Sequence, residues 1–218
     1  MIRRHGYLLV LGTPLERTGM DKYQSLLPPI YKQHNGYRLV MGGQTGGVSF
    51  LSGGLKNLSV MLARFPSPED VSHFWWSDDY RNAYTVRKKA GRFAAVGLAG
   101  VDTEEDPIPG AGGYLVAMAA AKTPGCWRRF ADPFLEGIER HKGTVLADSG
   151  PEGIERLENL MPGSHIIVAM FSNEQAAQDA WAALAPTLQI ELQDCEPVTI
   201  IALSGLENDH PWRLADTL

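Results

Sequence analysis

Gly6-Tyr7-Leu8-Leu9-Val10 returns as Gly113-Tyr114-Leu115-Val116-Ala117, and His34-Asn35-Gly36 returns as His141-Lys142-Gly143, each pair 107 residues apart. The spacing then shortens. Ala63-Arg64-Phe65 matches Ala169-Met170-Phe171 at 106, while Trp76 matches Trp181, and Ala99-Gly100-Val101 matches Ser204-Gly205-Leu206, at 105. Five landmarks in one order, with a drift of two residues, mark an internal repeat, and a repeat decides the architecture before any single element is assigned. Between the copies, residues 102–112 are acidic and rich in Pro and Gly, the composition of an exposed linker. The expected division is a first domain over residues 1–101, a linker over 102–112, a second copy over 113–206 and a tail over 207–218.

Each copy reads as strand, helix, strand, strand, helix, strand. Tyr7 to Gly12 is a short apolar run bounded by turn formers, as a buried strand requires. Tyr23, Leu26, Leu27, Ile30 and Tyr31 then recur at helical spacing, matched in the second copy by Trp127, Phe130, Phe134 and Ile138. Asp21 is a candidate cap for this helix, Gly36 follows its end, and Pro28-Pro29 are expected to kink it. Tyr37 to Met41 reads as a second strand, Gly42 to Gly47 as a flexible turn or bulge, and Leu58 to Phe65 as a third strand. Ser67 caps the next helix, which restarts at Ser77-Asp78-Asp79, and Phe93 to Leu98 closes the copy as Val198 to Leu203 closes the other. This order is the split βαβ, ferredoxin-like plan, with two helices on one face of an antiparallel sheet. The other face needs cover. The expected fold class is therefore α+β: two tandem ferredoxin-like domains whose antiparallel sheets bury against each other as an intramolecular pseudo-dimer. A monomer is expected, with further self-association open.

Composition narrows the partners. The 218 residues are 44% hydrophobic, and 20 Lys and Arg face 25 Asp and Glu for a formal charge of −5. Nothing in that balance resembles the basic stripe of a nucleic-acid-binding protein. No apolar stretch is long enough to span a bilayer, so neither nucleic acid nor membrane is expected as a partner. Cys126 and Cys195 make no disulfide framework and no Cys-x-x-Cys; both read as buried or inert thiols of a cytoplasmic protein.

The Tyr7 strand, the helix ending in His34-Asn35-Gly36, the pair Gly42-Gly43, Phe65-Pro66-Ser67, and Ser77-Asp78-Asp79-Tyr80 with Arg87 following carry a family likeness. Over residues 6–101 the chain resembles the uncharacterised family numbered thirteen-thirty among the domains of unknown function, within the dimeric α/β-barrel superfamily. The second copy keeps the skeleton but loses the signature: Tyr80 falls on Ala185 and Arg87 on Leu192. The family places a glutamate followed by glycine thirteen residues before the Phe of Phe-Pro-Ser. Here that position is Ser52-Gly53 in the first copy and Glu158-Asn159 in the second, so neither copy carries the full set. The resemblance implies the superfamily fold. It implies no settled activity, although the superfamily includes cofactor-independent monooxygenases.

Arg87 is the residue to single out. On a helix face shared with Tyr80 and Tyr84, a guanidinium pointing at the sheet must meet an acid, carbonyls or a bound anion. Phenol and guanidinium donors together make a pocket able to hold a small carboxylate or enolate, although a structural ion pair and core aromatics explain the same residues. Trp76, beside Phe74-Trp75, either walls an apolar site or belongs to the core, and Trp181 at the matching place supports packing in both copies. Tyr7, Ser52 and Glu158 complete the candidate ligand contacts. His34 and His141 sit in matching helix-end positions, suited to capping and, for His34, to moving a proton. The remaining histidines, His5, His73, His165 and His210, show no ligand spacing, so no metal is expected, and no residue demands a cofactor. The expected function is binding of a small acidic or enolisable organic molecule in the first domain, with Tyr80, Arg87 and His34 as candidates for cofactor-free proton transfer or isomerisation. The alternatives are a cofactor-independent monooxygenase and a non-catalytic scaffold.

Overall fold

The structure, a computed structural model, describes residues 3–43, 46–103, 112–120, 124–159, 164–191 and 198–207. Most of the expected linker, Leu192, Cys195, His210 and the tail beyond 207 lie outside the described residues. The first half runs β1 (Arg3–Pro14), α1 (Arg17–Gln33), β2 (Tyr37–Gly42), β3 (Val48–Ser52), β4 (Ser59–Phe65), α2 (Pro68–Trp76), α3 (Asp78–Ala90) and β5 (Gly91–Thr103). The second runs β6 (Gly113–Ala120), α4 (Pro124–Arg140), β7 (Thr144–Ser149), β8 (Ile154–Glu158), β9 (Ser164–Phe171), α5 (Glu174–Glu191) and β10 (Thr199–Ser204).

The strands form two five-stranded antiparallel sheets, ordered β2-β4-β1-β5-β8 and β3-β10-β6-β9-β7. Each half therefore lends one strand to the other. β3 pairs with β10, Phe50 opposite Ile201, and β8 pairs with β5, Arg156 opposite Val96. The stretch between Gly47 and Leu58, left unassigned by the sequence, thus holds an additional edge strand. Every residue of β3 and four of the five in β8 are half-buried, so neither run shows the apolar alternation of a strand that covers a core by itself.

Alternation along β1 assigns its two faces. Tyr7, Leu9 and Leu11 join Tyr114, Val116 and Ile201 in a core between the sheets, whereas Leu8 and Val10 face the helices of the first half. The sheets also meet at their margins, where Ser149 Oγ donates to Ala99 O at 3.0 Å and Leu206 N donates to Leu39 O at 2.7 Å. Side chains fasten the exchanged strands to helices of their host half: Ser72 Oγ donates to Glu155, and Ser49 Oγ donates to Glu174 Oε1 at 3.0 Å.

Helix ends depart from expectation in two places. α1 starts at Arg17, and its cap is Glu16, whose carboxylate accepts from Gly19 N, because Leu15 and Glu16 already turn the chain by donating to Ala90 O. Asp21 lies inside the helix, which runs on through Pro28 and Pro29 to Gln33. At the far end the left-handed residue is Asn35 (φ 50°) rather than Gly36, and Lys142 (φ 60°) repeats it. Gly36 N donates to Tyr31 O and Gly143 N to Ile138 O, which closes both helices in the same motif. Gly36 serves packing, since a Cβ there would lie 2.3 Å from the Phe65 ring. Ser77 separates α2 from α3 as expected, donating to Phe74 O while accepting from Tyr80 N at 3.2 Å. Among the described residues no helix is long and apolar enough to cross a membrane.

Candidate functional site

α3 places Tyr80, Ala83 and Arg87 on its buried face, with the half-buried Tyr84 beside them. Arg87 is 1% exposed, surrounded by the rings of Phe93 (4.8 Å from the guanidinium carbon to the centroid), Tyr84 (5.2 Å), Trp75 (5.3 Å) and Tyr23 (5.8 Å). Rings on this scale offset part of the desolvation of a buried cation. A further part is met by Glu158, the last residue of β8, which strand exchange delivers from the second half. Arg87 Nη2 donates to Glu158 Oε2, and Tyr84 OH donates to Glu158 Oε1 at 3.2 Å. Asn159 takes φ 48° and donates from Nδ2 to Phe93 O at 3.0 Å, which turns the chain immediately after Glu158. Gly53 at φ 89° makes the matching turn after Ser52.

Electrostatics follow from this packing. Burial alone would lower the Arg87 pKa, but Tyr80, Tyr23 and Glu158 outweigh it and raise it. Burial pushes Tyr80 well above the ordinary phenol range, so its hydroxyl stays protonated; it lies 3.2 Å from Tyr23 OH. Tyr84 is raised as well, first by burial and then by Glu158.

On the far side of Arg87 a cavity of about 650 Å³ opens between α1 and the first sheet, within the range of small-molecule sites. Met20, Tyr23, Gln24 and Leu27 of α1 form one wall, and Val10, Met41, Met61 and Phe93 form the sheet side. Arg38 and Arg87 supply the guanidinium groups, while Glu16, Asp21 and Arg17 line the exposed mouth. Arg38 lies 5.0 Å over the Tyr31 ring with Nη1 3.6 Å from Met41 Sδ. Three atoms stand out here: Arg87 Nε, Arg87 Nη1 and Gln24 Oε1 are buried without a hydrogen-bond partner. Two are donors and one an acceptor; buried polar atoms in that state are costly and rare, and both residues line the cavity, which marks it as the candidate site.

The expected site residues fall in several places. Arg87, Tyr84 and Glu158 come together; Tyr80 lies behind them against Tyr23 and does not line the cavity. Tyr7 is in the core between the sheets, its hydroxyl pKa raised by burial, and Ser52 sits on β3 opposite Ile200. Trp76 is 55% exposed, donating from Nε1 to Glu155 Oε1 at 3.2 Å under the Arg81 guanidinium, so the shared packing role expected with Trp181 does not hold. Trp75 is the buried member of the pair. His34 stands edge-on to Phe74 at 5.7 Å, away from the cavity lining, with its pKa lowered by burial; His141 is exposed. Cys126 is half-buried rather than buried, accepting from Arg129 Nη2 at 3.3 Å.

Arg38, Gln24 and the methionines were not singled out in the sequence. An arginine inside the apolar run Tyr37 to Met41 was the available signal, obscured by a register shift between Arg38 and Val40 that breaks the two-residue period. In the second half Phe130 and Phe134 replace Tyr23 and Leu27; both are fully buried with ring centroids 4.9 Å apart. No group of three or more His, Cys, Asp or Glu able to hold a metal ion occurs among the described residues.

Residues 5–101 match the model of the family described as Domain of unknown function (DUF1330). Solved structures share the fold across nearly the whole chain. An anthrone oxidase-like protein is 14% identical, with 93% of this chain and 92% of that one covered and a TM-score of 0.50. A protein of Fusobacterium nucleatum provisionally named a monooxygenase is 10% identical, with 93% of both chains covered and a TM-score of 0.51. A protein provisionally named a chlorite dismutase is 10% identical, with 93% of this chain and 95% of that one covered and a TM-score of 0.52. No curated protein matches the chain.

Proposed function

We propose that the chain, whose residues 5–101 match the DUF1330 family model, is a fused pseudo-dimer whose first half binds a small, oxygen-bearing organic molecule in the cavity beside Arg87. The reciprocal exchange of β3 and β8 supports the pseudo-dimer reading, with 1–101 and 113–206 as the two copies. The observation that carries the ligand reading is Arg87 itself: it lines the cavity, one donor is held by Glu158, and two more are buried without a partner.

Those donors suit a carbonyl oxygen, whose hydrogen bonds strengthen as the neighbouring C–H bond breaks. The reaction class they favour is enolisation: proton transfer or isomerisation next to a carbonyl, with Arg87 donating hydrogen bonds to the carbonyl oxygen. Glu16 and Asp21 at the mouth are the carboxylates among the lining residues and the candidate proton acceptors. A second reading, oxygenation of an activated phenol or enol at the same place, draws on the names of two structural neighbours that share only the fold. A non-catalytic scaffold is the reading that remains if nothing binds.

Titration calorimetry with small ketones, phenols and carboxylates tests the proposal. Binding at one site per chain, abolished in the Arg87→Met/Glu158→Met double variant, is expected. Equal binding by both proteins removes the site from this cavity.

A further inference from the structure

Arg87 reaches the cavity already neutralised. Its partner carboxylate is almost as buried as it is, with side-chain exposures of 2% for Arg87 and 11% for Glu158. Both Glu158 oxygens are engaged, Oε2 by Arg87 and Oε1 by Tyr84, and the Asn159 turn holds the strand end in place, so the carboxylate cannot swing aside when a ligand arrives. An incoming anion at Arg87 Nε and Nη1 would therefore meet a spent positive charge with a fixed negative one behind it. Like charges that close, in a region of low polarity, exclude each other. A neutral carbonyl meets two unpartnered donors and no opposing charge.

Resting on the reading of this cavity as a ligand site, we propose that Glu158, supplied by the second half, is its specificity-determining residue and that the site selects neutral ketones or enones over carboxylates. Glu158 acts through Arg87 and is a positioning residue, not a catalytic one. The arrangement also gives the repeat its asymmetry a purpose. At the matching place in the other sheet stands Ser52, whose hydroxyl could neither neutralise a guanidinium nor set a charge preference.

The test uses the full chain and two probes of nearly equal shape, 2-acetylnaphthalene and 2-naphthoate, titrated at neutral pH into the wild type, Glu158→Gln, Glu158→Asp and Arg38→Met. The wild type is expected to bind the ketone at least tenfold more tightly than the carboxylate. In Glu158→Gln the order reverses, because Arg87 then carries an uncompensated charge; Glu158→Asp keeps the wild-type order. A merely structural role would weaken both probes together. Wild-type preference for the naphthoate overturns the proposal without any variant, as does a Glu158→Gln protein that binds both probes with unchanged order. Carboxylate binding lost only in Arg38→Met assigns anion recognition to Arg38 and likewise overturns it. Binding of neither probe by the folded wild type removes the ligand-site reading itself and this inference with it.

Discussion

Arg87 on α3 and Glu158 on β8, 71 residues apart in sequence, form a buried ion pair that joins the two halves of the chain. A buried pair stabilises little against an apolar substitute of equal size, yet breaking it is expensive, because the survivor keeps its charge without compensation. Glu158→Ala is therefore expected to lower the unfolding free energy by about 3–5 kcal/mol. Arg87→Met/Glu158→Met should cost much less than the sum of its single variants. Urea unfolding of the wild type, Arg87→Met, Glu158→Met and the double variant checks this, and additive losses would show that the pair is not coupled.

The turns that follow the exchanged strands make a second prediction. Gly53 at φ 89° lies so close to the next strand that an added Cβ would sit 2.7 Å from Thr199 Cα. Gly53→Ala should destabilise by about 2 kcal/mol or more through backbone strain and overlap. Asn159→Gly keeps its left-handed conformation and loses only the bond to Phe93 O, a cost of about 1 kcal/mol. Thermal unfolding ranks the two; the reverse order would contradict the roles given to these turns.

Acid sensitivity follows from His5, 5% exposed on β1 with a ring nitrogen 2.8 Å from Arg64 Nη2. Burial first, then the Arg64 charge, lowers its pKa below 6.5. The unfolded chain binds the proton at its ordinary pKa and the folded chain only at lower pH, so this contribution is intact above about pH 6.5 and declines as the pH falls through that value. His5→Gln should flatten the fall in melting temperature between pH 7 and pH 5. An unchanged slope would place the acid sensitivity elsewhere, with His34, lowered by burial in the same direction, the next group to replace.

Self-association is also testable. With the faces of both sheets covered within one chain, sedimentation at micromolar concentration should give the mass of one 23.9 kDa chain. An obligate dimer would mean that a further face needs cover.

The succession of helices and long strands was legible because each long element carries its own periodicity and caps, as at Ser67 and Ser77. The displaced glutamate was legible too, as a missing partner at Ser52 and a surplus one at Glu158. What could not be read was that the two defects complement each other. That depends on β3 and β8 crossing to the opposite sheets, and five-residue edge strands carry no local mark of their partner. The same limit applies to Trp75 and Trp76: both suit a helix, and only the sheet beneath decides which one is buried. The cavity was invisible for a related reason, since Met20, Gln24 and Arg38 belong to three different local patterns that meet only after α1 packs on the sheet.

Binding at Arg87 is read most directly from the melting temperature of the wild type and of Arg87→Met/Glu158→Met, with and without 2-acetylnaphthalene. A ligand bound only by the folded state at a hundred times its Kd adds about 2.7 kcal/mol, which in a chain of this size is about 5–10 °C. That rise is expected in the wild type and none in the double variant. Equal shifts in the two proteins, or no shift in the wild type, would contradict it.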